Sequence, residues 1–251
     1  ASDPNWPLFI AANRDEFHHR PALPAKPWPK NPNIIAGIDC LGHGSWLGMT
    51  RQGRFALLTN YRDASTAANT NAPSRGELVG QYLQNNVSPQ DYSNAVQKVA
   101  QNYNGYNLIV GDLGSAWYSG NRTGAASATQ LAPGRYVLTN HLLDTPWPKA
   151  QRLRNALDAL PLSSLAVSLN PVFDSLKDDA VADDHLLPQT GLSLDKERLL
   201  SSPFIISPDY GTRCSSVIAI HASGQVFFSE VSYDPTGTAS QRHDWPFTLV
   251  K

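Results

Sequence analysis

Pro7 to Asn13 (PLFIAAN) is a short apolar run that stops at the charged cluster Arg14-Asp15-Glu16, the pattern of a strand delivering polar groups at its end. Between Arg20 and Pro32 stand five prolines (Pro21, Pro24, Pro27, Pro29 and Pro32), which exclude a helix or an interior strand and predict a semi-rigid extended loop. Ile34 to Asp39, Ser45 to Thr50 and Arg54 to Asn60 are β-type runs separated by Gly-containing turns, the spacing of an antiparallel meander. Apolar positions then shift to helical spacing over Arg75 to Asn86 and Pro89 to Tyr103, with Ser74 and Ser88 placed as N-caps. Strand character returns at Tyr106 to Gly111, Ala116 to Ser119 and Arg135 to Asn140. An amphipathic helix is expected from Lys149 to Leu160, with Pro148 near its start and Pro161 past its end, and a second from Asn170 to Asp179. Asp178 to Leu200 is polar, acidic and aperiodic, and is expected to be a mobile surface segment. Ser215 to His221 and Gln225 to Val231 flank Ser223-Gly224 as a hairpin, and a last strand is expected near Phe247 to Val250. Strands and helix pairs in this order describe an α+β layered fold with helices on mostly antiparallel sheets. Neither a repeat nor a linker divides residues 1–251, so one domain is expected.

Charge narrows the function classes. Lys and Arg number 20 against 21 Asp and Glu, a net charge of −1 that offers polyanions no general attraction, so nucleic acid is not an expected partner. Hydrophobic residues make up 41% and charged residues 16%, enough apolar material for a core, yet no run reaches the length of a membrane helix. The two cysteines, Cys40 and Cys214, form neither a disulfide framework nor a CxxC motif, which points to a reducing, cytoplasmic setting. The sequence opens at Ala1 with no initiator Met and no basic-then-apolar leader, so any targeting signal is expected to be removed or absent.

Four polar clusters fall at predicted strand ends: Asn13-Arg14-Asp15-Glu16, Thr59-Asn60-Tyr61-Arg62-Asp63, Thr139-Asn140-His141 and Thr212-Arg213-Cys214. Asn amides can donate to an oxyanion and Arg can neutralise it, so these ends are expected to share a pocket suited to acyl-transfer chemistry. The plainer alternative is that each Asn closes a turn and each Arg makes a surface ion pair. No GxGxxG, GxxxxGK[ST], GxSxG or HExxH motif is present. His18-His19 and Asp183-Asp184-His185 read as solvated surface rather than metal ligands. The tryptophans read as core and loop anchors, and Cys214, at the start of an apolar strand, as a buried small hydrophobe.

PLFIAANRDEFHHRP, His43-Gly44-Ser45-Trp46-Leu47-Gly48, Gly53 to Arg62, Ser74-Arg75-Gly76-Glu77, Tyr106-Asn107-Leu108 with Gly111-Asp112, Thr139-Asn140 with Leu143 to Lys149, and Tyr210 to Ser215 together resemble the NRDE proteins, the transport and Golgi organization protein 2 family. The resemblance covers nearly the whole chain. It implies an N-terminal-nucleophile (Ntn) hydrolase-like fold, a four-layer αββα sandwich of mostly antiparallel sheets, similar to the choloylglycine hydrolase and penicillin acyltransferase branch. By that similarity Arg14 and Asp15 stand beside the catalytic amine, Asn60 and Asn140 face the carbonyl as binding or oxyanion groups, and Arg213 supports the nucleophile. Family members begin with Met-Cys, and loss of the Met exposes a Cys whose own α-amine can act as base. No Cys precedes Cys40 here, Ala1 has no nucleophilic atom and Ser2 is not terminal.

Two functional readings follow from the resemblance. In the first, the protein binds or transfers an amphipathic acidic small molecule, haem or an acyl-coenzyme A or lipid-type ligand. Asn13, Arg14, Arg62, His141 and Arg213 would contact it, the arginines pairing its carboxylates or phosphates. Haem enters this reading as a transported ligand, with His18, His19, His43 and His141 as candidate axial ligands. In the second, the protein is a cysteine Ntn-type amide or acyl hydrolase whose Cys strand lies outside the sequence given. A sheet edge left open next to that strand would favour a homodimer.

Overall fold

The proline-rich stretch after Arg20 is a strand, not a loop: β2 (Ala22–Trp28) runs antiparallel to β3 (Asn31–Asp39). It lies at the edge of its sheet, where a proline's missing N–H is not needed by a neighbour. The pairing breaks register between Leu23 and Lys26 and between Pro27 and Trp28, next to the two prolines inside the strand. The prolines therefore exclude the interior of the sheet, as expected, while leaving its margin open to them.

The computed structural model describes residues 3–161 and 168–250, within which the chain gathers into two compact units. Ala1 and Ser2, read above as carrying no nucleophile, lie outside the described residues. The first unit, termed here the meander unit, is Pro21–Leu143 with the segment from Thr248. In it β2 and β3 are followed by β4 (Leu47–Thr50), β5 (Phe55–Asn60), β6 (Tyr106–Gly111), β7 (Ala116–Gly120) and β8 (Thr129–Leu131), neighbours in the sheet in chain order. All the pairings are antiparallel.

Helix α1 (Gly76–Gln84) lays Leu78, Val79, Tyr82 and Leu83 on this sheet, and α2 (Pro89–Lys98) adds Tyr92 and Val96. They meet Ile34, Ala36, Ala56, Leu108 and Val110 in one apolar cluster. Ser88 caps α2 as its sequence predicts, accepting from the Asp91 amide at 3.1 Å, with Pro89 filling the first turn. Ser74 does not cap α1: the helix begins one residue later, behind Arg75, with no side-chain cap. Arg135 to Asn140, expected as a strand, joins no ladder, and β8 is a strand that the alternation pattern did not mark.

The second unit, discontinuous in sequence, comprises Asp3–Arg20 and Asp144–Phe247. Its sheet has the order β1 (Leu8–Phe17), β9 (Tyr210–Ile220), β10 (Gln225–Tyr233), β11 (Ala239–Thr248). The β9–β10 hairpin turns at Gly224, whose φ of 86° suits glycine. The final strand thus spans Ala239 to Thr248, earlier than the expected Phe247 to Val250. Helices α3 (Pro148–Asp158) and α4 (Asn170–Leu176) follow the expected pattern. Val172, Phe173 and Leu176 of α4 are buried with Val217, Ala219, Val231 and Tyr233 of the sheet. The acidic stretch Asp178 to Leu200 carries a 3-10 turn at Asp184–Leu186 and a short α5 (Leu194–Leu199), anchored by Glu197, whose carboxylate accepts from the Thr190 amide and hydroxyl. No helix among the described residues is long and apolar enough to cross a membrane.

Candidate functional site

Strand alternation sends the first two residues of the NRDE cluster to opposite faces of the sheet. On the α4 side, Asn13 donates from Nδ2 to the carbonyls of Leu176 and Pro203, both at 2.8 Å, and accepts from Ser215 Oγ at 2.6 Å. These bonds tie β1 to the end of α4 and to the segment before β9. Arg14 lies on the other face, buried, with Cys214 as its register partner. Asp15 accepts from Thr212 Oγ1 at 2.7 Å, and that hydroxyl accepts in turn from the Ile205 amide at 2.9 Å.

Between Arg14 and Asp15 the β1–β9 register shifts, Arg14 facing Cys214 and Asp15 facing Thr212, which leaves Arg213 as the extra residue of a bulge. Released from the ladder, Arg213 donates from Nη1 to the carbonyls of Phe17, His18 and Arg20 at 2.9, 3.1 and 3.2 Å. It thereby gathers the turn that follows β1. Its pKa is lowered by burial first and by the neighbouring Arg14 charge second. The Glu16 carboxylate lies 3.7 Å from Arg14 Nη2 and 3.5 Å from Arg20 Nε. Of the histidines proposed as axial ligands in this unit, His18 donates from Nε2 to the Ser207 carbonyl at 2.9 Å, and His19 is exposed against Phe17.

One charged group of this unit escapes a motif-based reading. Glu230, in β10, is almost fully buried and accepts from Ser216 Oγ at 2.7 Å. The signal for it is the alternation itself, which puts a carboxylate on the same face of β10 as Val226 and Phe228. Beside it the Cys214 thiol is pushed well up by burial first and by Glu230 second, with Arg14 opposing, so the thiol stays protonated. Cys214 is the buried small side chain its sequence context predicts.

In the meander unit the end of β5 and the segment 139–143 come together. The Arg62 amide donates to Asn140 O at 2.6 Å and Arg62 Nη2 to Asn140 Oδ1 at 3.3 Å, while Asn140 Nδ2 donates to Asn60 O at 3.2 Å. Tyr61 Oη and His141 Nε2 are 2.7 Å apart, their rings 4.8 Å between centroids. Asn60, Arg62, Asn140 and His141 are thus one group, and Asn13, Arg14, Asp15 and Arg213 another. His43 lies outside both, exposed in a tight turn with φ 54°.

Burial lowers the His141 pKa, and burial followed by the Asp63 charge raises that of Tyr61, so the neutral pair is favoured and the phenol donates to the imidazole. Because the folded chain binds a proton at His141 less readily than the unfolded chain does, the stability this provides is present above pH about 6.5 and is lost as pH falls below that. Calorimetric melting from pH about 7.5 to about 5.5 is expected to show a smaller drop for His141→Gln than for the unaltered protein. An equal drop in both would remove His141 as its source.

Comparison with known proteins agrees with this architecture. Penicillin V acylase from Agrobacterium tumefaciens superposes with a TM-score of 0.51 at 15% identity, over 90% of this chain and 79% of that one. The fold is therefore mixed α and β, mostly antiparallel and Ntn-hydrolase-like. The Transport and Golgi organization protein 2 homolog of Bos taurus is 37% identical over 95% of this chain and 92% of its own. That of Homo sapiens is 36% identical, over 90% and 86%. The family model for Transport and Golgi organisation 2 matches residues 1–235, and with these relatives it establishes that the chain belongs to that family.

Proposed function

We propose that the protein binds and passes on an amphipathic acidic small molecule, haem or an acyl-coenzyme A or lipid-type compound, whose acid group meets Arg14, Arg20 and Arg213. The observation that carries this reading is the position of Glu16. Its carboxylate stands among these guanidinium groups at 3.5 and 3.7 Å from the nearer two, beyond the ~2.8 Å of a locked charge-assisted bond. Its other oxygen accepts from the Phe17 amide at 2.9 Å, so the acid group is presented to these guanidinium groups by its own strand end, and a place that receives one carboxylate in this way suits another. Taken by itself, the meander unit's group of Asn60, Arg62, Asn140 and His141 offers amide, guanidinium and imidazole groups as contacts for a polar ligand.

The test titrates the full chain with haemin, followed in the Soret region, and with palmitoyl-coenzyme A, followed by calorimetry. Saturable binding of one probe is expected, weakened about tenfold or more by Arg14→Ala and less by Arg14→Lys. Binding of neither probe, or binding indifferent to Arg14, overturns the reading.

Amide or acyl hydrolysis is a second reading, favoured by the likeness of fold to penicillin V acylase. It calls for a nucleophile other than Cys214, whose thiol is buried and held protonated. Time-dependent release of free acid from the coenzyme A thioester during the same titration would favour it.

A further inference from the structure

Strand β6 reads Tyr-Asn-Leu-Ile-Val-Gly and is buried from end to end, which makes its single carboxamide conspicuous. An amide taken out of water without partners is costly, so its partners explain its presence. Asn107 is wholly enclosed, and its polar atoms are engaged. Nδ2 donates to Thr59 Oγ1 at 3.1 Å and to His141 O at 2.9 Å, and Oδ1 accepts from the Tyr118 hydroxyl at 2.7 Å. The two side chains it grips extend the same hold. Thr59 Oγ1 donates to Thr139 O at 2.7 Å, and Tyr118 Oη accepts from the Leu143 amide at 3.3 Å.

Three neighbouring strands, β5, β6 and β7, thus each contribute one side chain to the backbone of Thr139, His141 and Leu143. These are alternate residues of a segment that has no ladder of its own. Only a carboxamide supplies two donors and an acceptor from so short a side chain. An aspartate would lose the donors and bring a charge, and a leucine would leave the Tyr118 hydroxyl and the His141 carbonyl without this partner.

We infer that Asn107 is a positioning residue: through Thr59 and Tyr118 it fixes the backbone of residues 139–143, and so sets where the Asn140 amide and the His141 ring stand for a ligand. The inference deepens the reading of Asn140 and His141 as ligand contacts and rests on it only for the last step. The alternation of the anchors leaves Asn140 between two of them, turned to Asn60 and Arg62, and leaves the His141 ring to meet Tyr61.

The test uses the full chain with 15N-labelled imidazoles, His141 assigned by its loss in His141→Gln. Tyr118→Phe removes one hydroxyl from the network, and Asn107→Ala removes its centre. Tyr82→Phe serves as comparator, since it deletes a buried hydroxyl that donates to Gly111 O at 2.9 Å, at the other end of β6. In Tyr118→Phe the His141 titration midpoint is expected to move by about half a pH unit, threefold in proton affinity, with Tyr82→Phe leaving it in place. Asn107→Ala, where it folds, is expected to move it further and to weaken haemin or palmitoyl-coenzyme A binding about tenfold. An unmoved midpoint in Tyr118→Phe, or an equal movement in Tyr82→Phe, overturns the inference. A moved midpoint with unchanged probe affinity in both variants sustains the positioning role and instead overturns the reading of Asn140 and His141 as ligand contacts.

Discussion

Asn13→Ala is expected to destabilise the protein by about 3 kcal/mol, a fall in melting temperature of roughly 6–12 °C for a chain of this size. The substitution deletes three hydrogen bonds at once and leaves the carbonyls of Leu176 and Pro203 and the hydroxyl of Ser215 without that amide. Each group left short of a partner in a buried place costs about 1–3 kcal/mol, and water re-entering the gap recovers part of this. Asn13→Asp separates the contributions: the Ser215 hydroxyl still has an acceptor, while two carbonyls now face a carboxylate instead of a donor. It is therefore expected to be at least as damaging as alanine, a result that side-chain volume would not give. Thermal melting of both variants checks this, and a loss under about 1 kcal/mol for Asn13→Ala would show that the amide is not a staple of the fold.

The second large effect is expected at Gly44. A Cβ there would fall 2.2 Å from the Gly76 carbonyl carbon, 2.4 Å from its oxygen and 2.6 Å from the Glu77 nitrogen, all backbone atoms. The two segments touch where Ser45 N donates to Gly76 O at 3.1 Å, which joins the approach to β4 to the start of α1. No rotamer change relieves such a clash, so either that bond opens or α1 moves off its apolar bed. Gly44→Ala is expected to cost more than about 3 kcal/mol in urea denaturation, at the upper end of overpacking effects. Gly124→Ala provides the scale: its φ is 71° but nothing lies within 4 Å of the added carbon. Its strain is therefore conformational alone, about 1–2 kcal/mol.

That contact explains why glycine recurs in His43-Gly44-Ser45-Trp46 and Ser74-Arg75-Gly76-Glu77, motifs legible as family marks but not as two halves of one crossing. Helices and central strands were readable because burial imposes their periods: Leu78, Val79, Tyr82 and Leu83 repeat every three to four residues only because one side of α1 is covered. The failures share a different cause. Pro24 and Pro27 in β2 reveal what a strand cannot pair with but not that it can sit at a margin. Arg135 to Asn140 has strand-like residues but is held at Thr139 by a side chain from β5 and just past its end, at His141, by one from β6, and side-chain anchoring leaves no mark in local alternation. Within the site, the candidate residues were named by type. The division of Asn13 from Arg14 by the pleat was available from period two, whereas the bulge at Arg213 depends on a pairing with β1 nearly the whole chain away. Asn107 stood within a recognised motif, but its partners lie on other strands and in segment 139–143.

The route of the chain through the two units sets an order of assembly. Residues 21–143 form an unbroken stretch whose strands pair with their immediate successors, so nearly everything the meander unit needs emerges from the ribosome in sequence. Strand β1 is made before any of it, yet Leu8 pairs with Ile220 and Phe17 with Tyr210. Throughout synthesis of the intervening chain, Leu-Phe-Ile-Ala-Ala waits with its backbone donors and acceptors open, a nascent segment suited to chaperone capture or to wrong pairing. Slow translation ahead of β9 would lengthen that wait without altering a single contact of the finished fold.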